Sequence, residues 1–138
     1  MSISLPAANA QQQVAALHGI GQILGSTTQF EEALNAILKL MCDQLDMSLG
    51  TVSLLSQEEN EVTIDVAYGL SESEIERGRY TIGEGITGKV VESGKPVIVP
   101  RISSEPLFLN RTGARAGAER GQTSFICVPI LLQQQVVG

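Results

Sequence analysis

RYTIGEGITGKVVESGKPVIVPRISSEPLFLNRTG, residues Arg79 to Gly113, is the stretch from which the fold is read. It begins as a short extended segment and passes through a glycine-rich turn into one brief helix. The spacing predicts that helix over Ile86 to Glu92, stopped by Ser93-Gly94-Lys95-Pro96, because glycine suits the left-handed position past a helix end and proline cannot continue the helix. Val97-Ile98-Val99 follows at once as a strand, and a long irregular loop follows the strand. Gly83-Glu84-Gly85-Ile86-Thr87-Gly88 also has the G-x-G-x-x-G spacing that lets a backbone approach a dinucleotide pyrophosphate. A connection with a helix of about two turns barely reaches the dozen or so residues of a parallel crossover. Tight turns and close packing are therefore the better reading of these glycines.

Working upstream, Ser71 and Glu74 have capping-box spacing and open a short acidic helix that ends near Arg77, its charge read as a solvated face. Thr51 to Leu55 and Glu61 to Tyr68 read as strands around the polar turn Gln57 to Asn60. Val62, Ile64 and Val66 alternate with Thr63 and Asp65, so the two strands form a hairpin and begin an antiparallel sheet. Phe30, Leu34, Ile37, Leu38, Met41 and Leu45 mark one face of a helix from about Gln29 to Leu45, with Thr28 and Glu31 at capping-box spacing. Residues Met1 to Gln13 read as a small, polar tail. After it Val14, Leu17, Gly21 and Leu24 recur at intervals of three and four, widened by Ala16, Ile20 and Ile23. A helix so broadly apolar needs more than one partner, and Val14, Leu17, Gly21 and Leu24 are the expected interface of a homodimer.

Downstream, Ala114 to Gly121 shows no apolar period. Thr123 to Ile130 reads as a strand nearly ended by Pro129, Leu132 to Gln135 as a turn, and Val136-Val137-Gly138 as the start of a returning strand. Strands commonly run to about five or six residues, so the sequence reads as a fragment cut from something longer.

A length of 138 residues fits one domain, and an apolar fraction of 43% without tryptophan implies a mainly aliphatic core. The net charge of -6 argues against a nucleic-acid surface, which depends on neutralising phosphates. Cys42 and Cys127 have no C-x-x-C spacing and no histidine cluster, so no disulfide framework, metal site or cofactor is expected. No signal peptide and no apolar run of about 18 residues is found, so a cytoplasmic protein without membrane contact is expected. His18 is the sole histidine and lacks a local serine, cysteine or carboxylate partner. The two cysteines stand in apolar contexts without neighbouring cations. No catalytic residue is assigned, and no enzyme is expected.

The loop after Val99 carries the expected chemistry. Between Pro100 and Gln122 four arginines (Arg101, Arg111, Arg115, Arg120) face two glutamates (Glu105, Glu119), a basic loop on an acidic chain that suits a small anionic ligand. A solvated loop accounts for the same charges. Arg101 and Arg111 are the candidate carboxylate donors, because a guanidinium grips a carboxylate through two parallel bonds. Ser103, Asn110 and Thr112 are candidate hydrogen-bond partners, and Tyr80, Phe108 and Phe125 candidate apolar walls. The arginines and Phe108 have structural alternatives: ion pairs from the arginines to Glu105 or Glu84, and an anchor to the core for Phe108 with Leu109.

The order of elements, from about Leu17 to Gly138, resembles the GAF family of small-molecule sensor domains. GEGITGKVVESGKPVIV followed by SFICVPILLQQQVVG is similar to that family's glycine turn, helix, strand and final hairpin. EPLFLNRTG, with SFICVPI, resembles more specifically the N-terminal sensor domain of NifA-type nitrogen-fixation activators. The resemblance implies an α+β fold, a GAF-like antiparallel sheet with helices on one face and a long loop over the other, its final strand cut short. It implies a GAF domain over 14–138 behind a tail at 1–13. In function it implies a regulatory sensor domain of a sigma-54-dependent activator, controlling a downstream AAA+ ATPase through a small anionic metabolite such as 2-oxoglutarate. Neither a G-x-x-x-x-G-K-[ST] loop nor a basic recognition helix is present in this sequence. The partners implied are that metabolite, a second copy of the chain, the ATPase and an anti-activator protein, with no nucleic-acid contact. A ligand-free dimerisation and protein-interaction module answering to the anti-activator is the alternative. The absence of cysteine from Met1 to Gln13 favours the molybdenum-type activator over those of the alternative nitrogenases, whose N-termini tend to be cysteine-rich.

Overall fold

The computed structural model describes residues 9–26, 29–102, 105–109, 111–112 and 123–138. The elements run α1 (Ala10–Ser26), α2 (Phe30–Leu45), β1 (Gly50–Ser56), β2 (Glu61–Tyr68), α3 (Glu72–Arg77), β3 (Arg79–Thr81), α4 (Gly85–Ser93), β4 (Val97–Val99), β5 (Phe125–Cys127), β6 (Leu131–Leu132) and β7 (Gln135–Val136). The class is the expected α+β, with β2 and β3, β4 and β5, and β6 and β7 each paired antiparallel. The described chain divides into two units, one made of residues 53–64 and 71–138, the other of residues up to 52 together with 65–70.

In the second of these units α1 packs on α2 through small residues. A Cβ on Gly19 would stand 2.7 Å from Leu40 Cδ2, so the missing side chain is what lets the helices approach. Ala16 is the buried residue of α1, and Ile20 and Ile23 are half-buried. Val14, Leu17 and Leu24 remain 65%, 70% and 61% exposed, and Gly21 faces open space. The helix starts ahead of Val14 because Asn9 and Gln12 cap it reciprocally. Asn9 N–H donates to Gln12 Oε1 at 2.9 Å, and Gln12 N–H to Asn9 Oδ1 at 2.8 Å. The polar tail read over Met1 to Gln13 therefore includes the first turn of α1. On α2 the buried residues are Ala33, Leu38 and Cys42, whereas Phe30, at the head of the expected face, is 65% exposed. A Cβ on Gly50 would lie 3.2 Å from both Cys42 Sγ and Leu38 Cδ2, so the missing side chain of Gly50 sets the close contact here too. Gln29 takes the N-cap position of α2; Thr28, expected there, lies outside the described residues.

The other unit is built on Ile86, Val90, Val99 and Ile102, with Val97, Phe108, Phe125 and Cys127 packed against them. Strand alternation explains the membership. Val97 pairs with Cys127 and Val99 with Phe125, all turned toward the cluster, while the intervening pair Ile98 and Ile126 is exposed. The strand expected over Thr123 to Ile130 is shorter, ending at Cys127 and resuming as β6 beyond Pro129. Gln133 and Gln134 form the turn between β6 and β7, both with positive φ (50° and 67°), as a tight two-residue hairpin requires. Leu55 N–H donates to Val137 O and Val137 N–H to Ile130 O, each at 2.9 Å, so the last residues run between β1 and the segment leading into β6.

The glycine-rich turn lies at the centre of this unit. Gly83 and Gly85 have φ of 87° and 63°, values that L side chains rarely adopt. Gly88 has a different reason: a Cβ there would press on the Thr81 carbonyl oxygen and stand 3.0 Å from Gly83 N. The strands flanking α4 are not sheet neighbours, since β3 joins β2 and β4 joins β5. Without a parallel crossover the G-x-G-x-x-G spacing is a packing device, not a dinucleotide fingerprint.

Candidate functional site

The loop that leaves β4 is tied down at several points. Ile102 is fully buried, and its N–H donates to Thr123 O at 3.0 Å, which closes the base of the loop. Successive turns follow. Glu105 N–H donates to Ile102 O and Phe108 N–H to Glu105 O, both at 3.2 Å, and Glu105 Oε1 accepts from Leu107 N–H at 3.1 Å. These turns lay Phe108 edge-on against Phe125, with ring centroids 5.4 Å apart and planes at 71°. Leu107 and Leu109 cross the start of α4, where a Cβ on Gly85 would meet Leu109 Cδ1 at 3.0 Å and Leu107 O at 3.4 Å.

Beyond Leu109 the loop meets α3, β3 and the glycine turn through its charged groups. Arg111 pairs its Nη2 with Glu84 Oε1. Its Nη1 donates to the Arg79 carbonyl at 3.2 Å, and its guanidinium stands over the Tyr80 ring, 5.6 Å from the centroid. Thr112 contributes its backbone carbonyl, which accepts from Arg77 Nη2 at 2.7 Å and from Arg77 Nε at 3.3 Å. Arg79 itself reaches Glu61 Oε2 at 3.3 Å. Arg77, Arg79 and Arg111 are thus held within one network with two carboxylates, Glu61 and Glu84. The Arg111 and Glu84 side chains are 42% and 34% exposed, so solvent reaches the pair and its net contribution is of the order of 1 kcal/mol or less. Chemically the arrangement is a planar cation already paired with a carboxylate, lying over an aromatic ring and partly exposed to water.

Of the expected site residues, Tyr80 and Arg111 come together, Arg111 also pairing with Glu84, while Thr112 bonds Arg77 through its backbone carbonyl. Phe108 and Phe125 come together elsewhere, as part of the core cluster. Arg101 is exposed beside buried Ile102. Ser103 and Asn110 lie outside the described residues. For Arg111, the alternative of an ion pair to Glu84 is the arrangement found. Arg77 and Arg79 were not among the candidates; Arg77 bonds a main-chain carbonyl more than thirty residues away, which leaves no trace in side-chain type.

Both thiols are held toward their protonated form. Burial pushes the Cys42 thiol up, and the neighbouring Asp43 charge adds to the effect. Burial also raises Cys127, against a smaller lowering by a hydrogen bond with Thr87. Among the described residues no group of three or more His, Cys, Asp or Glu is placed to hold a metal ion, and no helix is long and apolar enough to cross a membrane.

A family model described as GAF domain matches residues 27–138. The nitrogen fixation protein VnfA of Azotobacter vinelandii is 38% identical over 123 residues, covering 88% of this chain and 24% of that protein. A Nif-specific regulatory protein of Azospirillum brasilense is 36% identical over 126 residues, 91% of this chain and 20% of that one. Identity so similar does not separate relatives bearing the two kinds of name. The chain spans about a quarter of the length of the curated relatives it matches. Among solved structures, the A. Aeolicus nlh2 GAF domain in an inactive state superposes with a TM-score of 0.81 at 27% identity, over 92% of this chain and 75% of that one. With the glycine turn, the antiparallel strands and the similarity to nitrogen-fixation regulators all in agreement, the chain belongs to the GAF domain family.

Proposed function

We propose that this chain is the regulatory sensor domain of a sigma-54-dependent activator of nitrogen-fixation genes, non-catalytic in itself, which controls a downstream AAA+ ATPase by binding a small anionic metabolite such as 2-oxoglutarate. The observation that carries the reading is the identity of 36–38% with Nif-specific regulatory protein and VnfA over some nine-tenths of the chain. The Arg111 guanidinium supports the ligand class, because it already grips a carboxylate and remains 42% exposed. The raised thiols support a non-catalytic role. Calorimetric titration with 2-oxoglutarate, on the wild-type chain and on Arg111→Ala, tests the reading. Heat of binding that the substitution removes is the expected result. No heat in the wild-type chain refutes the reading for that metabolite.

A second reading, a homodimerising module that answers to an anti-activator protein, is favoured by α1. Val14, Leu17 and Leu24 are exposed on it, and Ala10–Ser26 contains no acidic or basic side chain other than His18, so two copies of an acidic chain meet there without charge repulsion. Sedimentation of wild type and Leu17→Glu separates the cases: a dimer abolished by the substitution is expected if α1 is the interface.

A further inference from the structure

Building on the sensor reading, we propose that Glu84 is the resident occupant of the carboxylate site on Arg111, a built-in competitor that an incoming small carboxylate must displace. Position 84 is the N-cap of α4, where Ser, Thr, Asp or Asn are preferred because their short side chains bond the exposed N–H groups of the first turn. Glu84 does not cap; φ of -93° and ψ of 130° place it in extended backbone, and its carboxylate goes to Arg111 instead. Its neighbours Gly83 and Gly85, both at positive φ, are what allow the chain to turn through this point. The local backbone is thus committed to presenting a carboxylate where a cap would otherwise sit.

Exchange at this position conserves the number of guanidinium–carboxylate pairs. A ligand carboxylate takes the fork of Arg111, and Glu84 is released beside the N-terminus of α4, where its negative charge is favoured by the helix dipole. Arg111 faces a carboxylate in both states, so the equilibrium answers to ligand concentration. Release of Glu84 also removes the charged tie between the glycine turn and the loop, leaving the packing of Leu107 and Leu109 on Gly85. The Arg111 bond to Arg79 O and the two Arg77 bonds to Thr112 O connect the same loop segment to β3 and α3, so the exchange is felt at both elements.

The test is calorimetric titration of 2-oxoglutarate into the wild-type chain, Glu84→Gln and Arg111→Ala, with thermal melts confirming that each folds. A partly exposed ion pair is worth up to about 1 kcal/mol, so removal of the competing charge tightens binding about two- to fivefold, while Arg111→Ala abolishes it. Glu84→Ala gives the same gain. An unchanged Kd in Glu84→Gln overturns it and leaves the sensor reading standing. Binding retained by Arg111→Ala puts the ligand elsewhere and overturns it as well. No heat with any of the chains refutes the sensor reading, and the proposal with it.

Discussion

Replacing Gly88 with alanine puts the central packing argument at risk in one step. Alanine is favoured over glycine in a helix interior by about 1 kcal/mol, so on propensity alone the change stabilises α4. The added Cβ, however, meets the Thr81 carbonyl oxygen and stands 3.0 Å from Gly83 N. Both are backbone atoms of the β3 end and the glycine turn, which cannot rotate aside as a side chain can. Overpacking of this kind costs about 1–3 kcal/mol, and the 2.9 Å bond from Gly83 N–H to Gly88 O, strained by any retreat of the helix, accounts for about 1 kcal/mol more. The net expectation is a loss of about 1–3 kcal/mol. Gly21→Ala is the control, because it lies in α1 with nothing within 4 Å of its added Cβ, and there the propensity term acts alone to stabilise. Urea unfolding followed by circular dichroism reads both as shifts in midpoint at constant m. A Gly88→Ala chain as stable as wild type, or more so, refutes the reasoning, and the turn would then need another explanation for its third glycine.

The hairpin turn offers a gain instead of a loss. Gln133 and Gln134 both carry positive φ, a conformation that costs an L residue about 1–2 kcal/mol, so Gln133→Asn with Gln134→Gly should raise the unfolding midpoint. Ile102→Ala removes a fully buried side chain at the base of the loop and should cost about 2–5 kcal/mol, seen in the same unfolding assay. In α3, the bond from Ser71 N–H to the Glu74 carboxylate comes first, the Ser71 hydroxyl and Arg77 adding to it, and together they hold Glu74 below the ordinary glutamate range. A folded pKa below the unfolded one gives stability that is present above the unfolded value and is lost as pH falls through the folded one. The Ser71 amide shift should therefore titrate in acid below the ordinary glutamate range, and Glu74→Gln should abolish that titration.

Much of the fold was legible because periodicity and punctuation agree locally. Glu61 to Tyr68 and Val97 to Val99 are strands as read, and the Ser71–Glu74 capping box closes in both directions. Gly94 has the left-handed φ of 67° expected past a helix end. What was illegible depends on distance or on small residues. Apolar size pointed to Phe30 as part of the buried face of α2, but it is exposed, and beside the expected Leu38 the buried positions are the small Ala33 and Cys42. The start of α1 rests on an Asn9–Gln12 reciprocal cap inside a stretch that reads as polar tail. Residue type pointed to Arg111, Tyr80 and the rival Glu84, which lie together, since charge and aromaticity are visible in sequence. The clamp from Arg77 to the Thr112 carbonyl was invisible, because one partner is main chain.

The most direct measurement is to follow the Arg111 Nε–Hε resonance in a 15N-labelled chain, assigned through Arg111→Lys, as 2-oxoglutarate is added. The expected result is a saturable shift of that resonance, reached at lower ligand concentration in Glu84→Gln. A resonance that stays fixed up to saturating ligand, in wild type and variant alike, contradicts the assignment of Arg111 as the carboxylate site.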